Sequence, residues 1–155
     1  MPSAAYLSSF RRPGSSKGLT KTTPSTRESI PVHLTGEVPP LTRRTFISNK
    51  ITFPFTVTQA SLYFPQGCDH LLRVWLFISP DNDRPTASEP NGLNLLTPLA
   101  PVPFIIGDDV DLFFPLSMTH LPIGAWIKLH AQNLDGDSHY PTALVTIQEY
   151  IEEPT

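Results

Sequence analysis

Eighteen prolines in 155 residues set the limits on what this chain can fold into. Each one fixes φ and lacks a backbone N–H, and inside a helix it costs roughly 3 kcal/mol. Pro31, Pro39, Pro40, Pro54, Pro98, Pro101, Pro103 and Pro115 are spread along the chain and leave almost no room for a long helix. Strands accept proline at edges, bulges and first positions. An all-β architecture is therefore expected before any periodicity is read. The length suits one domain with a real core and is too short for two. Proline-rich loops also restrict the unfolded chain, which suits a durable protein.

The hydrophobic pattern agrees with strands. In residues 71–78, Leu72, Val74, Leu76 and Ile78 alternate with Arg73, Trp75 and Phe77. Period-2 alternation with both faces largely apolar predicts a central strand, or one whose outer face meets another chain. In residues 125–132, Ala125, Ile127, Leu129 and Ala131 oppose Trp126, Lys128, His130 and Gln132, the pattern of a half-buried strand. Residues 143–151 form the last strand. Between these two, the Asp135-Gly136 pair is a strong turn signal and predicts an antiparallel hairpin.

Further strands are expected at 29–38, 42–48, 51–58, 61–64, 102–106 and 110–115, with Pro54 and Pro103 demoting theirs to edges or bulges. Residues 81–94 (DNDRPTASEPNGLN) form a long polar loop of the functional or mobile kind. About eight short strands fit a β-sandwich, jelly roll or small barrel. The expected architecture is an antiparallel β-sandwich or jelly-roll-like domain over residues 29–155, preceded by an extended basic arm over residues 1–28.

Charge divides the chain in two. Residues 1–50 hold eight basic residues against two acids, a net +6, whereas residues 51–155 hold three against twelve, a net −9. The segment from Ser15 to Arg27 has one aliphatic residue, Leu19, and no period, so it cannot offset its own ordering entropy. Tyr6, Leu7 and Phe10 make a small apolar cluster at the far end, placed as an anchor on a tether. Arg11, Arg12 and Lys17 are placed to pair with acidic surface on a neighbour. Nucleic acid is not an expected partner, because the arm carries only five cations and the net −9 remainder repels the same phosphates. No run approaches the roughly 20 apolar residues that cross a bilayer. The N-terminus lacks the apolar centre of a signal peptide, so synthesis in a cytoplasm-like compartment and no membrane partner are expected.

Candidate chemistry is sparse. No Gly-x-Ser-x-Gly elbow or phosphate-cradling glycine loop is present. The five histidines do not fall at metal-ligand spacing, and the single cysteine, Cys68, rules out both an internal disulfide and a thiolate zinc site. No catalytic residue and no cofactor are expected. Asp81 with Asp83, Asp108 with Asp109 and Asp111, and Asp135 with Asp137 could each contribute to a calcium loop, Asp135 and Asp137 best. Turn formation is the favoured reading of all three, because Asp and Asn side chains bond the nearby backbone. Trp75 and Trp126, with Tyr63 and Tyr140, are candidates for stacking on a sugar, although both tryptophans lie in strands where packing competes for them.

The basic arm, the proline-rich all-β body and the segment FISNKITFPFTVTQASLYFPQG at 46–67, followed by the strand at 71–78, resemble the small β-sandwich proteins found among the structural proteins of tailed phages. The family most similar in architecture is the capsid decoration, or cement, protein. That resemblance implies a non-enzymatic virion component, made in the host cytoplasm, that forms a homo-oligomer with a trimer favoured. It implies a major capsid protein or another structural subunit as partner, and an arm that reaches neighbouring subunits. A carbohydrate- or receptor-binding module is the alternative function.

Overall fold

The computed structural model describes residues 27–97 and 103–152. These residues form eight strands and no helix. In chain order the strands are β1 (Ser29–Thr35), β2 (Arg43–Ile47), β3 (Phe55–Phe64), β4 (Leu72–Ser79), β5 (Leu93–Asn94), β6 (Val110–His120), β7 (Trp126–Asn133) and β8 (Thr142–Glu149). They make two four-stranded antiparallel sheets, ordered β1-β8-β3-β6 and β2-β7-β4-β5. The pairs β1·β8, β2·β7, β3·β6 and β4·β5 nest inside one another along the chain.

The core lies between the sheets. Val57, Ala60, Leu62, Ala143, Val145 and Ile147 of the first sheet, and Leu72, Val74, Leu76, Ile127, Leu129 and Ala131 of the second, join one buried cluster. The alternation read along β4, β7 and β8 selects these residues because strand side chains point to opposite faces. The sheet edges are blunted with proline, which cannot donate to a further strand. Pro31 lies in β1 and Pro115 in β6, the two edge strands of the first sheet.

Several expectations change. The segments at 51–58 and 61–64 become one strand, β3, with a register shift between Val57 and Gln59. Pro54 precedes that strand and does not demote it; β3 is central. The segment at 102–106 contributes only a bridge from Ile105 to Val74, and Pro103 lies in no strand. The strand expected at 110–115 runs through Pro115 to His120. The final hairpin does not form, because β7 and β8 belong to opposite sheets. Each has an apolar face to bury, and the two faces meet across the core rather than side by side. The Asp135-Gly136 turn serves this crossover instead. Tyr6, Leu7, Phe10, Arg11, Arg12 and Lys17 lie outside the described residues.

Candidate functional site

The outer face of the second sheet gathers three enclosed polar side chains, Thr45, Lys128 and His130. Register sets its side chains in rows across β2, β7 and β4: Arg43–Gln132–Arg73, then Thr45–His130–Trp75, then Ile47–Lys128–Phe77. The polar loop between β4 and β5 crosses this face as a strap. Thr45 Oγ1 donates to the Pro85 carbonyl at 2.6 Å, and Lys128 Nζ donates to Asp81 Oδ1 at 2.6 Å. Asn91 Nδ2 donates to the other oxygen of the same carboxylate at 3.2 Å. The strap explains why β4 is apolar on both faces, and it corrects the half-buried reading of β7: Lys128 and His130 are fully enclosed.

The hydrogen bonds fix protons along this row. Arg43 Nη1 lies 3.2 Å from His130 Nε2, and a guanidinium can only donate, so Nε2 accepts. His130 Nδ1 lies 2.8 Å from Thr45 Oγ1, whose own proton is engaged by Pro85, so Nδ1 donates. The imidazole is therefore neutral, and burial, reinforced by the Arg43 charge, pushes its pKa down to about 4. Hydrogen bonds from Lys128 and then Asn91 hold the Asp81 carboxyl down at about 2.

Trp75 is 2% exposed, between Phe104 and His130 with the Arg43 guanidinium over its ring. Its faces are taken, so it is not an open sugar platform, and its Nε1 has no hydrogen-bond partner among the described residues. Trp126 is half-buried with Lys50 Nζ 5.4 Å from its ring centre.

At one end of the strap the first row opens into a cleft of about 480 Å³ lined by Leu41, Arg43, Arg44, Thr86, Gln132 and Leu134. Leu41 is 74% exposed and held at φ 58°, an uncommon conformation for a branched side chain. Arg43, Arg44 and Arg73 make no ion pair with a carboxylate among the described residues. Arg44 Nη1 donates to the Arg43 carbonyl, and Arg73 lies over the Phe104 ring. The cleft thus combines exposed aliphatic surface with unpaired guanidinium charge.

The remaining candidates are separate. Asp135 Oδ2 is 2.8 Å from His139 Nε2, and that bond holds its carboxyl below the usual range. Asp137 instead offers its main-chain carbonyl to Asn133. Among the described residues no three His, Cys, Asp or Glu side chains converge as a metal site. Asp108 caps the turn at Gly67 and Asp69 by accepting both backbone N–H groups. Cys68 is buried, which pushes its thiol up to about 11 and leaves it unreactive at neutral pH. On the outer face of the first sheet, exposed Tyr63 and Asp111 line a smaller depression with His33, Ser61 and Thr142. Among the described residues no helix is long and apolar enough to cross a membrane.

Sequence reasoning missed the Asp81–Lys128 pair and the arginine cleft. One signal was present: Lys128 is the only lysine after Lys50 and sits between Ile127 and Leu129 in a strand. The cleft had none, since its walls come from three separate segments. No protein-family model matches the chain, and no curated protein matches it.

Proposed function

We propose that the protein is a non-enzymatic virion structural subunit, a jelly-roll domain that decorates or stabilises a capsid by docking on neighbouring subunits. The strand order carries this reading. The nested pairs β1·β8, β2·β7, β3·β6 and β4·β5, divided between two facing sheets, support a jelly-roll reading. Viral capsid proteins and lectins are among the proteins built this way.

A fold hosts many functions, so the surface has to add to it. Phe113, Leu121 and Ile123 are exposed on and just after β6, as are Leu93 and Ile106 elsewhere. Proline in both edge strands of the first sheet disfavours strand addition there, so association through that sheet falls to its side-chain surface and to the basic arm. Arg27, the first described residue, lies beside the end of β8, where its Nη2 donates to the Ile151 carbonyl. An arm of about 27 residues spans at most roughly 90 Å, enough to cross a subunit boundary. Tyr6, Leu7 and Phe10 are its anchor, and Arg11, Arg12 and Lys17 are its charge contacts to acidic surface.

The test is the light-scattering mass of the full chain and of a chain starting at Glu28. A defined oligomer, or binding to capsid shells, that is lost on truncation supports the reading. Two monomers, neither binding shells, overturn it.

A second reading, a carbohydrate- or receptor-binding module, is favoured by one observation. Tyr63 presents an open aromatic face beside Asp111, Thr142 and His33, the mixture of stacking surface and hydrogen-bonding groups a sugar requires. It predicts glycan binding that survives loss of residues 1–27 and is abolished by Tyr63→Ala.

A further inference from the structure

The arginine cleft faces one end of the sandwich, and the chain leaves from the other. Arg43 pairs with Gln132 at the close of β7, and the Asn133–Thr142 crossover begins β8 at that same end. β8 then runs the length of the first sheet to Glu149, which pairs with Phe55, while Gln148 pairs with Ser29. The segment that follows, Glu149-Tyr150-Ile151-Glu152-Glu153, has three carboxylates around an apolar pair. Ile151 and Glu152 are exposed. Cleft and acidic segment lie a strand length apart, about 26 Å for eight residues at roughly 3.3 Å each.

We propose that the cleft of Leu41, Arg43, Arg44 and Leu134 is a docking site for the acidic segment after β8 of a second copy of this chain. The inference rests on the structural-subunit reading and says how copies join. Complementarity is twofold. Guanidinium groups without carboxylate partners meet Glu152 and Glu153, and exposed Leu41 and Leu134 meet Tyr150 or Ile151. Arginine forks match carboxylates bidentately, and such bonds are about twice as strong as neutral ones. Because donor and acceptor lie at opposite ends, the contact is heterologous, head to tail. Repetition closes a ring if the rotation allows it and otherwise extends a filament.

The test uses the full chain and a labelled peptide of residues 149–155, EYIEEPT. Two variants alter the cleft. Leu41→Asp introduces repulsion while relieving the left-handed φ, which aspartate accepts more readily than leucine, so its melting temperature should hold or rise. Arg44→Glu reverses a charge at the wall. Saturable binding to the native chain is expected, weakened by added salt and at least about tenfold weaker in each variant, a change of about 1.4 kcal/mol. Glu152→Lys in the full chain should lower the assembled mass, and combining it with Arg44→Glu should restore part of it. No saturable binding, or equal binding by the native chain and both variants, overturns the inference. If the chain stays oligomeric in that case, the structural-subunit reading stands. Peptide binding to a chain that remains monomeric at every concentration rejects a second copy as the occupant.

Discussion

Lys128 is fully enclosed on β7, between Ile47 and Phe77 in its row, and its ammonium group rests on one carboxylate. The two halves of that pair should respond differently to mutation. Asp81→Asn removes the counter-charge and strands a buried cation, which should cost on the order of 2–4 kcal/mol. Lys128→Met removes the buried charge and leaves a half-exposed aspartate, so it should cost under about 1 kcal/mol. Urea melts of both variants check the asymmetry, and equal losses would contradict it. His130 adds a pH signature. Its folded pKa of about 4 lies below the ordinary 6.5, so the unfolded chain binds the proton more readily. Stability from this group is complete above about pH 6.5, falls as pH drops towards 4, and changes no further below that. The span is about 3 kcal/mol from the shift of roughly 2.5 pH units. His130→Gln should flatten the stability curve across that window, and thermal melts from pH 7 to 4 read it directly. A further loss between about 4 and 2 belongs to Asp81.

The strap between β4 and β5 is the element that turns a sandwich face into an enclosed site, and its return is the most constrained point. Gly92 has φ 130°, and a Cβ there would run into the Ile78 carbonyl oxygen, where β5 begins its pairing with β4. Gly92→Ala should therefore cost about 2–4 kcal/mol and expose Trp75, seen as a red shift in tryptophan emission at unchanged strand content. In the other sheet, Pro115 sits in the middle of edge strand β6, the longest of the eight. Pro115→Thr restores a donor to an eleven-residue edge and should speed aggregation without lowering the melting temperature, measured by light scattering on warming. Alternation in β4, β7 and β8 identified the core residues of those strands from sequence, because each buries one face in the same cluster. What hid was non-local. The strap's pinning of Lys128 joins positions 47 apart, and the cleft joins β2 to the end of β7 and the strap. The hairpin expectation failed for the same reason: Asp-Gly reports a turn and says nothing about which sheet the next strand joins.

Across the whole molecule, charge is arranged by region rather than by pair. A net +6 over residues 1–50 and −9 over the remainder places opposite signs within one chain, and only two ion pairs lie within the described residues. Arg27 and Ile151 lie together at one end of the sandwich, while the cleft arginines, without a carboxylate partner among the described residues, sit at the far end. Copies stacked in one sense set each acidic segment after β8 against a basic cleft, whereas copies meeting cleft to cleft set like charges together. If electrostatics drive that association, its strength must follow the screening length, about 10 Å at 0.1 M salt and about 3 Å at 1 M. The weight-average mass should fall as salt is raised across that range, and it should fall less for a chain lacking residues 1–27, which has already lost one set of charges. Mass that stays constant or grows with salt would instead assign assembly to the exposed apolar residues around β6, whose burial salt does not weaken.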